Sequence, residues 1–160
     1  MKEQLPKENF MREAIRLSIE NVESGKGGPF AAVIVKDGKI IATGVNEVTS
    51  SNDPTAHAEV VAIRNACKSL NNYQLDGCEI YCSCEPCPMC LGAIYWARAA
   101  KIYFANTKED AAAIDFDDKF IYEEIDLSHN ERKVETCQLL REEALAAFTK
   151  WENSPLKKLY

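Results

Sequence analysis

No apolar run in this 160-residue chain approaches the ~20 residues that a membrane-spanning helix requires. The opening Met1-Lys2-Glu3-Gln4 lacks the apolar stretch of a secretory signal, so the sequence predicts a cytoplasmic protein with no membrane partner. Repeats, low-complexity tracts and linker-like breaks in composition are also missing, which argues against a multi-domain chain. A single domain over residues 1–160 is expected, long enough to bury about 68–70% of its unfolded surface. Positive charge is in short supply, with 19 Lys and Arg against 25 Asp and Glu, a net charge of −6. The shortage is concentrated in residues 108–160, which hold 8 basic and 13 acidic side chains. Non-specific affinity for nucleic acid comes from lysine and arginine neutralising phosphates, so no nucleic-acid partner is expected.

What is present is an ordinary globular balance, 46% hydrophobic and 28% charged. Cysteine is the exception. There are seven, and Cys82, Cys84, Cys87 and Cys90 fall close together. An odd number, crowded in an intracellular chain, points to metal or redox chemistry rather than a disulfide framework.

Periodicity places an amphipathic helix over 8–24, with Met11, Ile15, Ile19 and Val22 on its apolar side, ended by glycines at 25, 27 and 28. Phe30–Val35 and Lys39–Val45 read as strands joined at Asp37-Gly38, a two-residue hairpin signal. After a polar loop over 46–52, Asp53-Pro54 reads as the start of a second helix running to about Leu70. Cys78–Cys84 reads as a buried strand, Cys87-Pro88 as the start of a third helix ending near Arg98, and Lys101–Ala105 as a strand. Residues 108–127 read as helical or irregular with a break near 115–118. Lys133–Leu139 is weakly strand-like, and Glu142–Glu152 reads as a last helix. Strand, helix and strand in such short order suggest a parallel crossover and an α/β sandwich.

Two clusters carry the chemistry. Cys87 and Cys90 are three residues apart at a helix start, so they share a face, and the helix dipole there favours thiolates. His57 begins the preceding helix. One imidazole and two thiolates leave a tetrahedral zinc with an open position, where the pKa of water falls to roughly 7. Glu59, two residues beyond His57, can converge on that position only at the helix tip, which suits a proton carrier rather than a fourth ligand. Other readings of the thiols are a redox pair, or a four-cysteine structural site including Cys82 and Cys84, which share one face of a strand. His-x-Glu followed by Pro-Cys-x-x-Cys is, however, the signature of zinc deaminases of nucleobases.

Pro54-Thr55-Ala56-His57-Ala58-Glu59 with Cys84-Glu85-Pro86-Cys87-Pro88-Met89-Cys90 resembles the cytidine deaminase superfamily, over about residues 8–107. The stretches at 27–30, 49–53, 91–98 and 116–122, with a closing Tyr160, are similar to the bacterial guanine deaminase family. That resemblance implies a three-layer α/β/α sandwich around a mixed, about five-stranded sheet. It implies one zinc per chain on His57, Cys87 and Cys90, with Glu59 shuttling protons. Phe30, Asn46 and Trp96 would line the base pocket, Asp118 and Tyr160 would add polar contacts that select guanine, and a looser match suggests Glu143 as a helper in proton transfer. On residue type alone, Phe30 and Trp96 are more often core, Asn46 a brace for the loop before the second helix and Asp118 solvated or a cap, while Cys82 and Cys84 take no role.

The implied reaction is hydrolytic deamination of guanine to xanthine and ammonia, in purine catabolism or salvage. The implied partners are a small purine base and a second subunit, as a homodimer in which residues 108–160 cover the site or exchange between subunits. A tRNA adenosine deaminase shares both zinc motifs but needs a basic surface. A nucleoside or nucleotide deaminase, acting on guanosine, cytidine or deoxycytidylate, is a further alternative. A zinc-stabilised binding module without turnover has no use for Glu59 beside the metal.

Overall fold

The computed structural model describes residues 7–160, which gather into two compact units that meet in sequence at Asp118 and Lys119. Met1-Lys2-Glu3-Gln4 lie outside the described residues. The first unit is built on four strands, β1 (Ala31–Lys36), β2 (Lys39–Val45), β3 (Glu79–Cys84) and β4 (Lys101–Asn106), in the order β2-β1-β3-β4. β1 pairs antiparallel with both β2 and β3, while β3 and β4 are parallel, so the sheet is mixed. Asp37 (φ 49°) and Gly38 (φ 71°) close the hairpin with two left-handed residues, the turn whose twist matches its strands.

β1 and β3 are nearly continuous buried runs because helices cover both faces of the sheet. On one face α1 (Lys7–Glu23) sets Phe10 and Ala14 against Val33, Val35 and Tyr81. On the other, α3 (Ala58–Leu70) and α4 (Pro88–Trp96), which follow the short α2 (Val48–Ser51), pack Ala58, Ala62, Ala66 and Ile94 against Ala32, Ile34, Ile80 and Cys82. Alternate residues of one strand thus serve opposite layers, giving the expected three-layer α/β/α sandwich.

α3 lies on β2 at backbone contact. A Cβ at Gly44 would sit 2.4 Å from both the Ala58 carbonyl oxygen and the Ala62 nitrogen, so only glycine admits this approach. The residues that follow are α5 (Lys108–Ala112), opened by a Thr107–Asp110 capping box, and in the second unit α6 (Lys119–Asp126) and α7 (Arg141–Glu152). Among the described residues no helix is long and apolar enough to cross a membrane.

Four features differ from the sequence reading. The sheet has four strands rather than about five: residues 133–139 form no strand, and the unit they belong to offers no ladder for them to join. α1 is turned by about one residue. It buries Phe10, Ala14, Ser18 and Asn21, while Ile15, Ile19 and Val22 are exposed, because small residues let the helix approach the sheet closely. α3 starts at Ala58 and not at Pro54: the Asp53 carboxylate accepts from the Thr55 N–H (2.8 Å) and hydroxyl (2.7 Å), making a turn there. Part of the loop expected over 46–52 is helical, as α2.

Candidate active site

His57 and Cys87 are the N-cap residues of α3 and α4, both with extended backbone (φ −69°, ψ 154° and φ −65°, ψ 168°). Pro88 at the first position of α4 pre-sets the helical φ and has no N–H to leave unpaired. Cys90 lies within the first turn of the same helix, fully buried. His57 Nδ1 is 3.5 Å from Cys87 Sγ and 3.5 Å from Cys90 Sγ, and the three donor atoms lie within 4.8 Å of one another. Zn–N of ~2.05 Å and Zn–S of ~2.3 Å at a tetrahedral angle require an N···S edge of about 3.6 Å. The residues present therefore fit a zinc ion, in kind and in spacing, with one position left open.

Their electrostatics suit a metal. Hydrogen bonding from Cys90, then from His57, outweighs burial and holds the Cys87 thiol down to about 4, while the same pairing raises the His57 pKa. Cys90 is pushed the other way, by its bond to Cys87 and by burial. The pairing favours the thiolate form at Cys87, and a bound cation would favour it at both cysteines.

Glu59 is the second residue of α3, inside its first turn, with a relative exposure of 8%. Burial raises its pKa, partly offset by a hydrogen bond with Cys90. Glu59 is thus a buried carboxyl group outside the donor cluster formed by His57, Cys87 and Cys90. Cys82 and Cys84 on β3 are buried, and burial, then the charge of Glu59, raises both thiol pKa values. Among the described residues neither belongs to the donor cluster of His57, Cys87 and Cys90, which turns the site away from the four-cysteine reading.

The loop residues arrange themselves around this centre. The Asn46 N–H donates to the Phe30 carbonyl (3.0 Å), and the Glu47 N–H donates to the Ala56 carbonyl (2.9 Å), tying the chain after β2 to the residue before His57. Asn46 is buried, and its Oδ1 accepts from the N–H groups of Gly28 (3.4 Å) and Val48 (3.3 Å). Phe30 packs edge-on against Phe116, with ring centroids 5.0 Å apart at 87°. Asp118 is half-buried, and its pKa is raised by desolvation and then by the charge of Cys87. Phe30, Asn46 and Asp118 thus belong to the unit that holds the metal donors.

Trp96 ends α4, six residues beyond Cys90 and so about 9 Å along the axis, and is 64% exposed. Tyr160 and Glu143 belong to the second unit, where both are exposed. Two residues that sequence reasoning passed over also matter. Asn21, buried on α1, donates through Nδ2 to the carbonyls of Gly28 and Asn46, both at 2.9 Å. Phe116, part of the 116–122 stretch but given no role there, is the other. The only signals were an amide at a core-facing helical position and an aromatic residue directly before Asp117-Asp118.

The model of the cytidine and deoxycytidylate deaminase zinc-binding region matches residues 5–106. Guanine deaminase of Bacillus subtilis is 58% identical over 153 residues, spanning 96% of this chain and 98% of that protein. The crystal structure of guanine deaminase from Bacillus subtilis superposes with a TM-score of 0.95 at 56% identity, covering 98% of this chain and 99% of that one. The tRNA-specific adenosine deaminase of Aquifex aeolicus is 36% identical over 95% of this chain and 87% of its own length. The fold and the site define a zinc-dependent deaminase, a hydrolase of C–N bonds. Within that class, the chain belongs to the cytidine and deoxycytidylate deaminase zinc-binding family, with His57, Cys87 and Cys90 as its candidate zinc site.

Proposed function

We propose that the protein hydrolyses guanine to xanthine and ammonia. The observation that carries this is the His57–Cys87–Cys90 cluster with Glu59 buried beside it, in a chain 58% identical to a guanine deaminase over nearly its whole length. Zinc at the cluster would supply a Lewis acid and an activated water. Glu59 accepts one proton of the attacking water and delivers it to the ring nitrogen, then takes the proton of the added hydroxyl and gives it to the amine, which departs as ammonia as the new carbonyl forms. Its burial keeps that proton inside the site. Phe30 packs against the face of the base, Asn46 hydrogen-bonds its edge, and Asp118 reads its donor groups.

The protein acts as a cytoplasmic homodimer in purine base catabolism or salvage. Its C-terminal segment exchanges between the two copies, so that Tyr160, and Trp96 from the far end of α4, complete a pocket across the interface. The exposed apolar residues Val134, Leu139, Phe148 and Leu156 of the second unit support such an association. Likeness to a tRNA-specific adenosine deaminase favours a second reading, tRNA editing. The net charge of −6 opposes it.

Ammonia release across guanine, guanosine, adenine, cytosine and cytidine tests the assignment. Guanine is expected to exceed every other substrate in kcat/KM by at least ~10-fold. A preference for a nucleoside, or deamination of adenosine in tRNA with no turnover of guanine, would overturn it.

A further inference from the structure

Between α5 and Asp118 the chain makes one sharp turn. Asp115 takes a left-handed conformation (φ 70°), its N–H donating to the Ala112 carbonyl (3.2 Å) and the Phe116 N–H to the Ala111 carbonyl (3.0 Å). This crossed pair closes the helix end in the manner of a Schellman motif, with a short polar residue where the left-handed backbone is tolerated. The turn delivers Phe116 onto the edge of Phe30. Gly28 leaves the space: a Cβ there would lie 3.3 Å from the Phe30 ring and 3.4 Å from Phe116 Cζ.

Phe116 is 48% exposed, so it contributes little to the core. What the contact fixes lies two residues further on. Asp118 is the last residue of the first unit, half-buried, and near enough to the Cys87 thiolate to feel its charge. Asp118 follows Phe116 by two residues in the same unit, so the ring contact limits where its carboxyl group can reach. Phe30 is in turn tied to Asn46 through its carbonyl.

We propose that Phe116 is a positioning residue for base recognition: packed edge-on against Phe30, it holds the Asp118 carboxyl group where it reads the donor edge of the purine. The proposal deepens the guanine reading and rests on it. Phe116 touches neither metal nor substrate and acts through Asp118. Loss of its ring therefore weakens binding of the base and spares the chemical step.

The test is a double-mutant cycle of Phe116→Ala and Asp118→Asn on zinc-loaded full-length enzyme, with Phe116→Leu as the conservative variant. Phe116→Ala is expected to raise KM for guanine at least ~5-fold while kcat changes less than ~3-fold, with Phe116→Leu recovering part of the loss. Zinc content and thermal midpoint stay at wild-type values. In the Asp118→Asn background, Phe116→Ala adds less than ~2-fold. An unchanged KM, a full penalty persisting without the Asp118 carboxylate, or a loss of zinc or folding would overturn the proposal. The cycle is run on whichever base the wild-type enzyme turns over best. A wrong substrate assignment then appears in the wild type alone, and a wrong positioning role in the variants alone.

Discussion

Glu59 sits where a carboxyl group gains from the positive end of a helix and loses from burial, and burial is the larger effect. A group so placed is poorly suited to a permanent charge and well suited to passing a proton. Glu59→Gln keeps the shape and removes that capacity. Turnover is expected to fall ~10²-fold or more with one zinc per chain retained, as metal analysis beside steady-state kinetics would check. Loss of zinc from this variant would make Glu59 a ligand instead. At this scale the donor cluster was legible, because Cys87 and Cys90 lie within one helical turn and His57-x-Glu59 opens another helix. The pocket was less so. Asn21 reaches Asn46 across 25 positions, and the meeting of Phe30 with Phe116 depends on a turn at Asp115 that no spacing rule announces.

Among the elements, β3 shows how the sheet ties down α1. Its Tyr81 stacks on Tyr103 at 4.6 Å and meets Phe10 of α1 at 5.4 Å, while its hydroxyl donates to the Glu79 carboxylate at 2.7 Å. Lys7 of α1 pairs with Glu79 at 3.5 Å and donates to the Tyr103 hydroxyl. Burial, then the bond to Glu79, pushes the Tyr81 pKa well above its ordinary value of 10.0. Folding therefore favours the protonated phenol, and that contribution is complete below pH ~10 and lost as pH rises beyond it. Glu79 has the opposite sign. The Tyr81 hydroxyl foremost, with help from Lys7, lowers its pKa, so its contribution is present above pH ~4.3 and lost as pH falls through the lowered value. Urea unfolding across pH should show both arms. Tyr81→Phe is expected to flatten the alkaline arm and Glu79→Gln the acid arm, whereas an alkaline arm unchanged in Tyr81→Phe would contradict this account.

The same element scale explains where periodicity misled. The spacing of Met11, Ile15, Ile19 and Val22 is helical and correct as a helix signal. The buried face, however, is decided by what lets the helix approach: Ala14 and Ser18, with Phe10 reaching Tyr81. The strand–helix–strand order and the hairpin at Asp37-Gly38 were readable because turn chemistry and residue type agreed with the final packing. Residues 133–139 were ambiguous because a weak alternation becomes a strand only when a neighbour accepts its hydrogen bonds.

For the whole molecule, the proposed exchange of C-terminal segments makes a demand on the last residues. Leu156, Leu159 and Tyr160 are exposed at 83%, 77% and 68%, and exposed apolar side chains gain from an interface. Deleting residues 156–160 is expected to leave folding and zinc content intact and to lower guanine turnover at least ~10-fold, about 1.4 kcal/mol of transition-state stabilisation. Steady-state kinetics on the truncated chain decide the matter, and an unchanged kcat/KM would remove Tyr160 from the site.

The central claim, that the His57–Cys87–Cys90 cluster carries the guanine chemistry, meets its most direct test in one titration. Metal-free protein is reloaded with zinc in steps while xanthine formation from guanine is followed. Activity is expected to be absent at the start, to rise in proportion to bound zinc, and to level off at one equivalent per chain. Full turnover by the metal-free protein, or a plateau unrelated to that single equivalent, would contradict the account.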